Sequence, residues 1–145
     1  MYNALVHAHS GLRWVALGLL LFAIFNSIKN QTSGRYEKKD KMINLFAMVF
    51  LHIQLLIGLL LYFTSSPFGL WSDLGVGEVM KNASIRLYLV EHPTINILAV
   101  ALITIGYSKH KKKLISGPKY KTIAVFYTIA LLLILSRIPW NVWPN

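Results

Sequence analysis

Eight side chains in this sequence could do chemistry inside otherwise apolar surroundings: His7, His9, Arg13, His52, Gln54, Glu91, His92 and Asn96. Imidazoles ligate metal or haem iron, or hydrogen-bond across a helix interface; a guanidinium grips a carboxylate through paired N–H groups. Spacing narrows the choice. His9 and Arg13 are four residues apart, so on a helix they share one face, about 6 Å apart along the axis. His7 points to a nearly opposite face. A guanidinium in lipid must face protein, so His9 is favoured over His7 as the inward residue. His92 and Asn96 repeat the four-residue spacing. Pro93 follows Glu91 and His92, and proline either occupies the first turn of a helix or kinks a continuing one. A helix from Pro93 to Ser108 would reach only about 24 Å, so a longer helix kinked just before His92 is expected. His110 lies among lysines in "KHKKK" and is expected to be solvated.

The elements that must position these groups are four apolar stretches, roughly Ala4–Ile28, Met42–Thr64, Leu87–Ser108 and Ile123–Ile138. A run of about 20 residues crosses the hydrocarbon core. Hydrophobic residues make up 55% of the 145, only 14% are charged, and the mean hydropathy is +0.52. A water-soluble surface would be hard to build from this composition. The net charge of +10 could suggest nucleic acid, but its distribution argues otherwise. Lys29–Lys41 and Lys109–Lys121 together hold eleven basic residues, against Lys81 and Arg86 alone in Ser65–Arg86. By the positive-inside rule both basic loops face the cytoplasm and both termini face the periplasm. The charge is a topology signal with some attraction to anionic membrane lipid, and no nucleic-acid partner is expected.

The first stretch lacks a basic leader and is too long for a cleavable signal peptide. Trp14, Trp71, Trp140 and Trp143 all fall toward the outer side, as an interfacial aromatic belt would. From Glu78 the outer loop can form an amphipathic helix on or in the membrane. One domain, residues 1–145, is expected: an all-α integral membrane protein built as an up-down transmembrane four-helix bundle.

In such a bundle the first and third helices are diagonal partners, with His9 and His92 both near the outer ends of their spans. Two imidazoles at matching depth on opposed helices are what a bis-histidine haem needs. His52 lies about 18 Å below the outer end of its span. It could replace a shallow histidine as ligand, hold a second haem or hydrogen-bond within the bundle. Gly11 and Gly18 on one helix face, with Gly58 on the second span, could admit a flat macrocycle or simply let helices pack closely. Two other readings stand beside haem. Arg13 could pair with Glu91 in a cofactor-free bundle whose histidines bond across helices, or the imidazoles and Glu91 could hold a non-haem metal. The absence of cysteine excludes covalent c-type haem, thiolate clusters and disulfides.

The segments "HAHSGLRW", "HIQLLIGLLLYF", "VEHPTINILAVALITIGYSK" and "FYTIALLLILSRIPW" resemble small four-span bacterial membrane proteins labelled cytochrome B-like, over nearly the whole chain. The resemblance implies a b-type haem (haem b) and electron transfer in the bacterial inner membrane, with no catalytic residues. On the matching positions His9 and His92 look like haem-iron ligands, and Arg13 like a partner for a haem propionate. His52 is the alternate ligand or supports one. A single mid-span histidine departs from the usual two-haem pattern. Partners in keeping with this are a membrane quinol, other subunits of a respiratory or membrane complex, and further copies of the chain. The alternative is a cofactor-free structural or assembly subunit.

Overall fold

A computed structural model describes residues 1–142, so Trp143 of the expected aromatic belt lies outside the described residues. These residues form helices joined by short turns, with no strand among them. Helix α1 runs Tyr2–Asn30 and α2 Lys38–Thr64. A short 3-10 turn leads to α3, Leu70–Lys81, and a single turn α4, Ala83–Arg86. A π turn at Leu87–Glu91 opens into α5, His92–Lys111, and α6 spans Ser116–Ser136. Among the described residues four helices are long and apolar enough to cross a membrane: α1, α2, the continuous Ala83–Lys111 and α6. Helices satisfy their own backbone groups, which lipid cannot do.

The bundle closes as a ring in which α1 packs on α2 and α6, and α5 packs on the same two. Helices α1 and α5 are therefore diagonal partners. Alanines let the axes approach: Ala16, Ala23, Ala47, Ala99 and Ala130 are all at most 1% exposed, and Leu20, Ile103, Ile123 and Tyr127 fill the space between the helices. Other large apolar side chains turn outward, with Phe25 at 65%, Leu56 at 62% and Phe63 at 63% exposed. Apolar surface on that scale is what a lipid girdle covers.

Boundaries differ from the sequence reading in an instructive way. Every span begins earlier than its apolar stretch, because polar residues also fold into the first turn. Helix α2 starts at Lys38 since Glu37 and Asp40 form a reciprocal cap, the Glu37 amide donating to Asp40 Oδ2 at 2.8 Å. The outer amphipathic helix begins at Leu70 rather than Glu78, and bends at Gly75, whose φ of +80° suits glycine. The irregularity expected before His92 is a π turn, a wider coil that often marks functional positions.

Candidate functional site

One end of the bundle opens into a cavity of about 390 Å³. Its walls come from α1, α2, the π turn, α5, α6 and the segment after α6, so both ends of the described chain and the α2–α3 connection meet there. His9 and Arg13 line it from α1, Gln54 and Gly58 from α2, and His92 and Asn96 from α5. The remaining lining is mostly leucine, isoleucine, valine and tyrosine. Small-molecule sites have this make-up: an apolar hollow with a few convergent polar groups.

His9 is held against α2. Gln54 Nε2 donates to the His9 carbonyl at 2.9 Å and lies 3.2 Å from His9 Nδ1. One turn further, Gly58 presents bare backbone to the ring: a Cβ there would sit 3.1 Å from His9 Cε1. The Arg13 guanidinium carbon lies 5.7 Å from the centre of the Trp14 ring, within cation–π range.

His92 is fixed from α6. Its Nδ1 donates to the Arg137 carbonyl at 2.9 Å, and Asn96 donates to the His92 carbonyl at 2.6 Å. A histidine whose Nδ1–H bonds a backbone carbonyl keeps its Nε2 lone pair for a ligand, as metal-binding histidines do. The π turn that precedes it is braced by Tyr62, whose hydroxyl donates to the Leu89 carbonyl at 3.1 Å and accepts from Trp71 Nε1 at 3.0 Å.

The expected site residues divide. His9, His92 and Arg13 come together on one cavity. His52 does not line it: Nδ1 donates to the Met48 carbonyl at 2.8 Å and Nε2 faces Thr104 Oγ1 at 3.1 Å, tying α2 to α5. His7 is exposed. Gly11 and Gly18 would give an added Cβ no neighbour within 4 Å, so they face away from the bundle and only Gly58 meets the cavity. Glu91, considered as Arg13's partner, binds other arginines: Arg86 Nε at 3.1 Å and Arg137 Nε at 3.8 Å. Among the described residues no three histidine, aspartate or glutamate side chains gather as a metal-ion cluster.

At the opposite end His110 corrects the expectation of a solvated residue. It is 0% exposed. Its Nδ1 donates to the Tyr107 carbonyl, and its Nε2 accepts from the Tyr36 hydroxyl at 2.6 Å. Asn44 donates to the same hydroxyl at 3.1 Å, and Tyr127 donates to the Asn44 carbonyl at 2.8 Å. Burial pushes the Tyr36 hydroxyl up to about 12. The lysines on either side in sequence had concealed this network. The run Glu37–Asp40 was its one local signal, a helix cap that buries its aspartate. Compared with protein-family models, curated proteins and solved structures, the chain matches none.

Proposed function

We propose that this chain binds a b-type haem and transfers electrons in a bacterial inner membrane, with His9 and His92 as the residues that would hold its iron. The observation that carries the proposal is that these two imidazoles, on diagonal helices, line the same apolar cavity together with Arg13. Their chemistry fits the group: His92 has its Nε2 lone pair available, and the flat His9 ring lies edge-on to Gly58. When bound, the haem iron would carry one electron by cycling between ferrous and ferric. The chain's own part is to ligate, to surround the site with leucine-rich walls, and to set charge near it. Arg13 shares its helix face with His9 and suits a propionate. His52 acts in this reading as a hydrogen-bonded strut between α2 and α5.

The basic loops orient the cavity toward the periplasm. A membrane quinol as donor and other subunits of a respiratory complex as partners accord with that position. The test is an absorption spectrum of the protein purified from haem-replete cells. Reducible bands of a six-coordinate low-spin haem are expected, and both His9→Ala and His92→Ala should remove or strongly alter them. A visible region without bands in the unaltered protein would overturn the proposal and leave the cofactor-free subunit.

A further inference from the structure

The two cavity histidines are held in opposite tautomers, and the reason lies in which atoms can only accept. Gln54 Nε2 lies 2.9 Å from the His9 carbonyl oxygen. A carbonyl oxygen has no proton to give, so the atom facing it must be the amide nitrogen. That fixes the orientation of the Gln54 side chain. The same nitrogen lies 3.2 Å from His9 Nδ1, so its second proton points to Nδ1, which must then hold a lone pair. The neutral His9 ring carries its proton on Nε2. At His92 the logic reverses. Its Nδ1 faces the Arg137 carbonyl at 2.9 Å, so Nδ1 carries the proton and Nε2 the lone pair. The Asn96 amide lies farther from that nitrogen, at 3.4 Å, and makes its short bond to the His92 carbonyl.

Gln54 Oε1 is buried and has no hydrogen-bond partner among the described residues. The amide thus keeps its nitrogen on His9 although its oxygen gains nothing. Turning it over would give Nδ1–H an acceptor, but would press Oε1 against the His9 carbonyl, oxygen to oxygen. Gly58 backs the ring from the neighbouring turn, with His9 Nδ1 3.6 Å and Cε1 3.1 Å from where a Cβ would stand. The ring cannot escape the amide by sliding along α2.

We propose that Gln54 is a positioning residue that makes His9 the displaceable haem ligand and leaves His92 the permanent one; this rests on the haem reading above. Iron binds a lone pair. His92 offers one at Nε2 without rearrangement. For His9 to offer one at Nε2, its proton must pass to Nδ1, where it confronts the Gln54 N–H, and the Gln54–Nδ1 bond is lost. When a small neutral ligand such as carbon monoxide takes the iron position, the iron–Nε2 bond breaks and the carbon–iron bond forms. The imidazole proton returns from Nδ1 to Nε2, and the Gln54 bond is restored. No electron and no net proton is exchanged.

Two measurements test this, one of them without haem. Haem-free protein labelled with ¹⁵N-histidine in lipid nanodiscs reports each tautomer through its ring nitrogens, with His9→Asn used for assignment. His9 is expected as Nε2–H and His92 as Nδ1–H, and Gln54→Leu should move His9 toward a mixture of the two forms. An Nδ1–H tautomer at His9 in the unaltered protein, or a ring unmoved by Gln54→Leu, would overturn the proposal. In the second arm, the ferrous haem-loaded protein is titrated with carbon monoxide. Gln54→Leu and Gln54→Met no longer oppose coordination by His9, so affinity for carbon monoxide should fall about fivefold to tenfold, the worth of one neutral hydrogen bond. Unchanged or raised affinity in both variants would also overturn it. An unaltered protein that takes up no haem sinks the cofactor reading and with it the ligand exchange, while the nitrogen signals still decide whether Gln54 sets the His9 tautomer.

Discussion

Gly58→Ala is a one-carbon perturbation aimed at His9 from behind. The added Cβ would stand 3.1 Å from His9 Cε1, where carbon atoms prefer about 3.5–4.0 Å. The imidazole must retreat by about half an ångström, and only the cavity side has room. That retreat stretches the 3.2 Å contact between Gln54 Nε2 and His9 Nδ1 past the distance at which it counts as a hydrogen bond. Overpacking of this kind costs about 1–3 kcal/mol. Replacing a helical glycine by alanine returns about 1 kcal/mol, so the net loss should not exceed about 2 kcal/mol and the bundle should fold. Gly18→Ala supplies the control, since a Cβ there meets nothing within 4 Å. Circular-dichroism melts in detergent read the stability, and the ¹⁵N signals of His9 read the displacement. Gly58→Ala should lower the melting temperature relative to Gly18→Ala and shift His9 while leaving His52 and His110 in place. If the two variants match in both measurements, the seating of His9 against α2 is refuted.

Other outcomes follow from particular contacts. Reporter fusions after Ser33 and after Lys113 should both report cytoplasm and one after Gly75 the opposite side; a cytoplasmic report at Gly75 would overturn the proposed orientation. His52→Ala should retain the haem spectrum and lose about 1 kcal/mol of stability through its Thr104 bond; loss of haem would return His52 to the ligand set. His110→Phe leaves the Tyr36 hydroxyl without its acceptor and should cost about 1–3 kcal/mol in a thermal melt, with no change at the haem. Because Tyr36 is raised from 10 to about 12, folding favours its neutral form. Its contribution is fully present below pH 10 and is lost as pH rises toward 12, so Tyr36→Phe should flatten the alkaline arm of the stability profile.

The sequence made much of the bundle legible because long apolar runs restrict the choices. Four runs of that length and hydropathy form helices that satisfy their own backbone groups, and an up-down order leaves α1 diagonal to α5. That is why His9 and His92 could be paired by depth, and they do meet at one cavity. What stayed hidden were contacts made by backbone atoms and by residues distant in the chain. No pattern in residues 90–96 announces that the carbonyl of Arg137 receives the His92 proton. The burial of His110 was hidden for a related reason. Its sequence neighbours are lysines, but a helix turns them to the surface and His110 inward, onto Tyr36 from a loop 74 residues away. The exposed glycines Gly11 and Gly18 show the converse error: equal spacing identifies a face without saying which way it points.

The two sides of the cavity differ in how firmly they are held, and Arg137 is the source of the difference. Its carbonyl receives the His92 proton while its guanidinium approaches Glu91 at 3.8 Å, and Glu91 is also bound by Arg86 at 3.1 Å. The end of α6 therefore clasps both residues that close the π turn, and Tyr62 braces the same turn from α2. His92 is fixed by a carbonyl, an ion-paired neighbour and a braced coil. His9 has one amide and one bare glycine behind it. An ion pair at partly exposed side chains is worth at most about 1 kcal/mol, so the strength of the clasp comes from several weak restraints acting on one short segment. In the proposed reading, the histidine with more restraints is the ligand that stays, and the one whose Nδ1 bond to Gln54 competes with coordination is the one that leaves.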